Sequence, residues 1–343
     1  MRYRLLGRSG LRVSELCLGT MTFGEEWGWG ASAAESRKIF DRYAEAGGNF
    51  LDTANKYTDG TSEKIVGDLI AFDRGHFVLA TKYSLTTRPE DPNFSGNHRK
   101  NMVQSVEASL RRLKTDYIDL YWLHAWDYLT PIDEVLRAFD DLVRAGKILY
   151  CGISDTPAWI VSAANTTADL RGWSPFVALQ IEYSLIERTP ERELLPMAKA
   201  LDLAVLAWSP LGSGLLTGKY KDLTDTREGA RLSEGSRRLT ERNLAISRAV
   251  VAVAKELGVS PAQVAIRWLR DRQGVVIPMI GARNVAQLED NLGALDVELP
   301  PTVRAQLDAA SAIELGFPHD FLGMESIRQI VYGTSGDAIL RHR

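Results

Sequence analysis

Four ionisable side chains stand at, or a few residues beyond, the ends of three consecutive apolar runs. Asp52 closes Asn49–Asp52, with Tyr57 five residues further on; Lys82 closes Phe77–Lys82; His124 closes Tyr117–His124. A tyrosine hydroxyl has a reference pKa of ~10, too high for an efficient acid near neutrality. A lysine ammonium beside it favours the phenolate and lowers that value. A carboxylate beside the lysine keeps the ammonium charged and in place. A histidine close by can donate a hydrogen bond to a substrate oxygen. Such a set suits protonation of an oxygen that becomes negative as hydride reaches a carbonyl carbon. Singly, each residue has a plainer reading: a capping Asp, a structural His, a Lys that snorkels to water. Together they require a fold that brings three strand ends to one mouth.

Other chemistries find less support. The histidines, His76, His98, His124, His319 and His342, are scattered and form neither H-x-x-x-H nor H-E-x-x-H, so no metal site is expected. No G-x-S-x-G elbow is present. Cys17 and Cys151 each lie in an apolar run and read as buried thiols.

The elements that would position these groups repeat along the chain. Short apolar runs occupy Glu15–Gly19, Asn49–Asp52, Phe77–Lys82, Tyr117–His124, Ile148–Ile153, Phe176–Glu182, Leu203–Trp208 and Val275–Pro278. Helical spacing separates them. Ile132, Val135, Leu136, Phe139, Leu142 and Val143 form one stripe, stopped by Gly146; Val103, Val106, Leu110 and Leu113 form another; Val250, Val253, Ala254 and Leu257 form a third before Gly258. Alternating strands and helices, with little alternation inside the strands, predict a parallel sheet covered by helices. Eight units favour a closed (β/α)8 TIM barrel, which needs roughly 250 residues and places its site at the strand C-termini. An open nucleotide-binding sheet would want G-x-G-x-x-G after the first strand, and Gly19-Thr20-Met21-Thr22-Phe23-Gly24 lacks it. The reading is one barrel domain over 1–343, with an N-terminal hairpin over about 1–14, a long loop Ser209–Thr240 after the seventh strand, and extra C-terminal helices over about 300–343.

Composition narrows the function classes. The 343 residues are 45% hydrophobic and 25% charged, the balance of a globular protein with a sizeable core. A net charge of −3 gives no reason to expect nucleic acid or an acidic membrane as partner. Met1-Arg2-Tyr3-Arg4 opens no apolar leader, and no run approaches the ~20 apolar residues of a membrane span. A cytoplasmic location is expected. Homo-oligomerisation is not readable.

The chain resembles the aldo-keto reductases. Gly48-Asn49-Phe50-Leu51-Asp52-Thr53-Ala54-Asn55-Lys56-Tyr57 is similar to that family's first signature, Ala80-Thr81-Lys82 to its lysine strand, and Tyr117-Ile118-Asp119-Leu120-Tyr121-Trp122-Leu123-His124 to its histidine strand. Gly146-Lys147-Ile148, Gly152-Ile153-Ser154, Gln180-Ile181-Glu182-Tyr183-Ser184, Trp208-Ser209-Pro210-Leu211, Leu216-Thr217-Gly218-Lys219-Tyr220 and Ile280-Gly281-Ala282-Arg283 follow in the family's order, over roughly residues 1 to 310. Within the family the chain looks nearest to bacterial reductases related to potassium-channel β subunits.

The resemblance implies an NADPH-dependent oxidoreductase acting on a small-molecule carbonyl, with NADH less favoured as cofactor. It makes Tyr57 the general acid, Lys82 and Asp52 its tuning pair, and His124 the group that orients the carbonyl. The cofactor would lie extended across the mouth. Trp208 would stack on the nicotinamide, with Ser154, Asp155 and Gln180 near its carboxamide. Gly19, Thr20, Met21 and Asp52 would also face it. The loop residues Ser209, Pro210, Leu211, Gly212, Lys219 and Arg231 would cover the pyrophosphate, with Arg227 an alternative to Arg231. Gly281, Arg283, Gln287 and Asn291 would take the adenosine end and its 2′-phosphate.

One departure stands out. The family usually carries Asn after the serine of the fifth strand, where this chain has Asp155. An ionised acid accepts from a carboxamide NH₂ but cannot donate to its oxygen. Asp119 lies an odd number of residues from His124, so it faces away from the mouth and reads as structural. Trp27, Trp29, Tyr83 and Trp126 are expected to line an aromatic substrate pocket. An aldehyde, a ketone or a sugar carbonyl would fit it. Two other functions remain open on the same scaffold: an NADPH-binding regulatory module with little turnover, and an NAD-dependent sugar or polyol dehydrogenase. The complete set of four residues and the lack of an extended segment before the barrel argue against the first, and Arg283 argues against the second.

Overall fold

A computed structural model describes residues 1–225, 232 and 235–339. Eight parallel strands close into a barrel: β3 (Cys17–Gly19), β4 (Phe50–Asp52), β5 (Val78–Tyr83), β6 (Ile118–Leu123), β7 (Ile148–Ser154), β8 (Phe176–Glu182), β9 (Ala204–Trp208) and β10 (Val276–Ile280). Closure comes from β10, which pairs with β9 on one side and with β3 on the other. Ahead of the barrel, β1 (Tyr3–Leu5) and β2 (Arg12–Ser14) form an antiparallel hairpin. The helices of the outer ring are α1 (Ala33–Glu45), α2 (Thr61–Ile70), α3 (Arg99–Leu113), α4 (Ile132–Arg144), α5 (Ala158–Arg171), α6 (Leu194–Ala200), α7 (Glu241–Leu257), α8 (Pro261–Arg270) and α9 (Val285–Gly293). Three more follow: α10 (Pro301–Ala310), α11 (His319–Gly323) and α12 (Glu325–Tyr332). The TIM barrel, its hairpin and its extra helices agree with the sequence reading. Among the described residues, no single helix is long and apolar enough to cross a membrane.

Local chemistry sets the helix limits. Ser260 and Gln263 form a reciprocal capping box at the start of α8, and Gly258 ends α7 in a left-handed conformation. The stripe Val135, Leu136, Phe139 and Leu142 on α4 is buried against the sheet, as its spacing predicts. Strand ends differ by a few residues. Glu15 is not in β3 but sits at the barrel floor, 2.6 Å from Arg270. The last strand runs through Pro278 to Ile280, because Met279 and Ile280 pair with Cys17 and Leu18 to close the barrel.

Strand alternation divides the core into two layers. Outward side chains pack under the helices; inward ones, including Phe50, Ala80, Leu120, Trp122, Ala178 and Leu206, fill the barrel. Leu6 and Val13 of the hairpin join the inner layer and plug its N-terminal end. Trp122 is the bulkiest inward group, and Gly152 on the neighbouring strand makes room for it. A Cβ at Gly152 would lie 2.3 Å from the indole Cε3. Gly152→Ala is therefore expected to lower stability by ~1–3 kcal/mol through overpacking. Urea unfolding measures this; an unchanged midpoint would show that Trp122 can shift at no cost.

Candidate active site

Asp52, Lys82 and His124 share the inward parity of Ala80 and Trp122 and so emerge together at the barrel's C-terminal mouth. Lys82 is sealed from solvent, as is Asp52. Its Nζ donates to Asp52 Oδ1, to the Thr53 carbonyl at 2.8 Å and to the Tyr57 hydroxyl at 3.1 Å. Gln180 Nε2 donates to the other Asp52 oxygen at 3.0 Å. Three strands and one loop thus meet on a single ammonium and its counterion.

Tyr57 begins a tight turn in which Thr58 and Asp59 are left-handed, at φ 45° and 52°. The Thr58 hydroxyl anchors that turn by donating to the Phe23 carbonyl at 2.8 Å and accepting from the Ser62 N–H at 3.0 Å. The Tyr57 ring meets the His124 ring edge-on, with centroids 5.9 Å apart. Trp27 also approaches the Tyr57 ring edge-on at 6.4 Å, and Trp29 lies 5.8 Å from Trp27.

Electrostatics corrects one expectation. Tyr57 and His124 keep part of their surface open to the mouth, yet burial dominates their titration. It raises the Tyr57 hydroxyl above its ordinary value, outweighing the Lys82 ammonium, which alone would lower it. The phenol is protonated at neutral pH, a loaded donor rather than a phenolate. Burial, reinforced by Lys82, holds the His124 imidazole well below its usual range, so it is neutral. Burial works against the Lys82 charge too, but Asp52 and Tyr57 overcome it and raise its pKa. Burial pushes the Asp52 carboxyl up, against the pull of Lys82 and Gln180. The arrangement can therefore pass a proton outward from Tyr57 while Lys82 stabilises the oxygen left behind.

The remaining candidates distribute around the mouth. Ser154, at the end of β7, is buried and its hydroxyl has no partner among the described residues. Asp155 follows with φ 41° and accepts from Trp208 Nε1 at 3.1 Å. Thr20 is fully buried, its hydroxyl bonded to the Asp52 carbonyl and to Ser62, so it supports β4 rather than facing the mouth. Gly19 packs against Met279, and Met21 is half-buried beyond it. Pro210 is buried and Ser209 and Leu211 are half-buried in the turn after β9. Gly212, Ser213 and Gly214 are successively left-handed, and a Cβ at Gly214 would lie 2.7 Å from Lys219 Nζ. Arg283 N–H donates to Gln287 Oε1 at 2.9 Å at the start of α9, and Asn291 Nδ2 reaches the Gly281 carbonyl at 3.3 Å. Arg231 and Arg227 lie outside the described residues.

Tyr83 is not where the pocket reading put it. It is fully buried in the outer layer, stacked on Tyr121 at 5.5 Å, with its hydroxyl donating to the Asn97 carbonyl at 3.0 Å. The reason is parity: Lys82 points inward, so Tyr83 points out. Trp126 stands at the mouth beyond His124, half-buried and packed partly on the outer core. Asp119 faces the helices as expected, 2.7 Å from Arg74 and accepting from the Leu79 N–H at 3.0 Å. Sequence reasoning missed Arg238, whose guanidinium joins Glu182 and Ser213 and lies over the Trp208 ring at 5.9 Å. Its signal was faint: one arginine among several near the end of a long loop.

The chain has counterparts among known proteins. A family model described as the aldo/keto reductase family matches residues 15–312. The chain belongs to that family. As an aldo/keto reductase it is 39% identical to a norsolorinic acid reductase of Emericella nidulans, covering 92% of this chain and 82% of that protein. It is also 39% identical to an NADP(+) aryl-alcohol dehydrogenase of Phanerodontia chrysosporium, covering 95% and 90%. An aldo-keto reductase of Aspergillus calidoustus is 37% identical, over 94% and 85%. These relatives are fungal, not the bacterial channel-related reductases to which the sequence looked nearest.

The sealed Lys82–Asp52 pair governs which variants can be interpreted. Lys82→Met leaves a buried carboxylate without its cation and is expected to destabilise by ~3–5 kcal/mol. Adding Asp52→Asn removes the orphaned charge and should restore much of that loss, read from denaturant midpoints. A double variant no more stable than Lys82→Met would show that the charge pair is not the source.

Proposed function

We propose that this aldo/keto reductase uses NADPH to reduce an aldehyde, ketone or sugar carbonyl to the alcohol, with an aryl carbonyl as the favoured class. The observation that carries the reading is Lys82 Nζ touching both Asp52 and the Tyr57 hydroxyl, at 3.1 Å from the latter, beside a neutral His124. Trp27 and Trp29 beside Tyr57 supply flat apolar surface suited to an aromatic substrate. The relative named as an NADP(+) aryl-alcohol dehydrogenase, at 39% identity, supports the same class.

The residues around the mouth fit a dinucleotide. Ser154 presents a buried hydroxyl lacking a partner among the described residues, and Gln180 lies beside it with its amide nitrogen committed to Asp52. The left-handed run Gly212–Gly214 under Lys219 and the start of α9 behind Arg283 both suit phosphate groups. Ser154, Asp155, Gln180 and Trp208 would hold the nicotinamide end. Gly19, Met21, Ser209, Pro210, Leu211, Gly212 and Lys219 would flank the middle, and Gly281, Arg283, Gln287 and Asn291 would take the adenosine end. NADPH, when bound, supplies hydride to the carbonyl carbon. The chain's own task is the oxygen: His124 N–H and the Tyr57 hydroxyl bind and orient it, and Tyr57 gives it the proton. Lys82 stabilises the phenolate so formed, and Asp52 keeps the ammonium in place.

Tyr57→Phe removes the donor and keeps the ring. Its kcat is expected to fall ~10²–10⁴-fold or more, the usual worth of a general acid, with NADPH affinity within a few-fold of wild type. A panel of aryl, alkyl and sugar carbonyls followed by NADPH absorbance tests this. Full activity in the variant sinks the mechanism. Tight NADPH binding without turnover by the wild type would favour a regulatory module instead.

Cofactor choice is tested separately. A guanidinium pairs bidentately with a phosphate that NADH lacks. Arg283→Ala should weaken NADPH binding by ~1.5–3 kcal/mol and leave NADH nearly unchanged in calorimetry. Equal losses for both cofactors would remove Arg283 from phosphate recognition.

A further inference from the structure

Asp155 and Trp208 stand at the ends of β7 and β9, with β8 between them. Each strand end turns through a left-handed residue, Asp155 itself at φ 41° and Ser209 at φ 57°. The Asp155 backbone is pinned: its N–H donates to the Gln180 carbonyl at 3.1 Å, and its carbonyl accepts from the Trp126 N–H at 3.5 Å. From that fixed point its carboxylate reaches over the end of β8 to accept from the indole Nε1 at 3.1 Å. The face of the same indole lies under the Arg238 guanidinium, 5.9 Å from the ring centroid. Arg238 is in turn fixed by Glu182 at the end of β8, at 3.0 Å, and by the Ser213 hydroxyl at 2.7 Å.

We infer that Asp155 is a positioning residue that, with Arg238, holds the Trp208 indole as a fixed wall of the mouth. The inference deepens the proposed function, since it rests on a nicotinamide lying against that wall. An acid suits the task better than an amide. An ionised carboxylate only accepts, so either oxygen can take the indole N–H, whereas an asparagine can turn its NH₂ toward that donor. The bond to a carboxylate is also the stronger of the two. Aspartate tolerates the left-handed backbone that the strand end requires.

The charge on Asp155 is conditional. Asp155 is exposed at the lip of the mouth, yet the partial desolvation imposed by its surroundings pushes its pKa up to about 6. The Trp208 hydrogen bond pulls the value down, Glu182 on β8 raises it, and Lys82 on β5 lowers it. Arg238, paired with Glu182, is the charged group facing from the loop after β9. Because the indole bond favours the ionised form, the hold on Trp208 is strongest well above pH 6 and weakens as pH falls through that value.

The test compares Asp155→Ala and Asp155→Asn in wild-type and Trp208→Phe backgrounds. Without cofactor, acrylamide quenching of the emission component lost in Trp208→Phe should increase in Asp155→Ala and change little in Asp155→Asn. By calorimetry, Asp155→Ala should weaken NADPH binding roughly 3- to 10-fold, the lower range for a hydrogen bond to a solvent-accessible charge. In the Trp208→Phe background the same substitution should add nothing, because a backbone or direct cofactor effect would persist there. Wild-type affinity should fall, relative to Asp155→Asn, as pH drops through about 6; titration of the 2′-phosphate is common to both proteins and cancels. Unchanged quenching in Asp155→Ala, or an undiminished loss of NADPH affinity in Trp208→Phe, overturns the inference. Failure of the wild type to bind NADPH would refute the proposed function, while the cofactor-free quenching still decides the role of Asp155.

Discussion

An ammonium group with no access to water must be neutralised and hydrogen-bonded by the protein around it, and Lys82 imposes that demand at the centre of the mouth. Its three donors are met by the Asp52 carboxylate, the Thr53 carbonyl and the Tyr57 hydroxyl. Asp52 in turn needs a second partner and finds it in Gln180, more than a hundred residues along the chain. Such an arrangement holds only if β4, β5 and β8 keep their registers to within a fraction of a residue. Barrel closure, the interior packing and the turn carrying Tyr57 all serve that one requirement.

The interior beneath the pair is built for rigidity. Trp122 fills the space that Gly152 leaves, and Leu6 and Val13 close the far end. At the floor, Glu15 is held by Arg270 and by Arg2, and its carboxyl titrates at about 2 because these hydrogen bonds outweigh burial. A close-packed core of this kind is poorly compressible and holds the strand ends in register. Tyr57 and His124, the groups proposed to act on a substrate oxygen, are left partly open to the mouth.

Above the pair the architecture changes character. The walls there are side chains on loops and strand ends: Trp27, Trp29 and Trp208. Trp27 meets Tyr57 edge-on, and Trp208, packed on the inner core, also donates to Asp155 and lies under Arg238. Loops tolerate change better than barrel strands, which is why one scaffold can serve many carbonyl substrates.

The sequence by itself determined the repeating strand–helix pattern, hence the barrel, and the identity of the four residues at its mouth. These follow from local rules: apolar runs of strand length, helical stripes between them, and polar groups at the run ends. It also carried the two-residue alternation that turns Asp119 toward Arg74. The same alternation turns Tyr83 away from the mouth, a signal present but outweighed by the appeal of an aromatic beside Lys82. Only the tertiary structure decided the rest, because it depends on through-space distance and on burial. The upward shift of the Tyr57 pKa reflects a contest between desolvation and Lys82 whose outcome no spacing reveals. The Asp155–Trp208 bond joins residues 53 positions apart across an intervening strand, and Arg238 meets Glu182 from the far end of a long loop. Contacts between distant strand ends and loops leave no periodic trace in the chain, since they arise only once closure has brought those ends together.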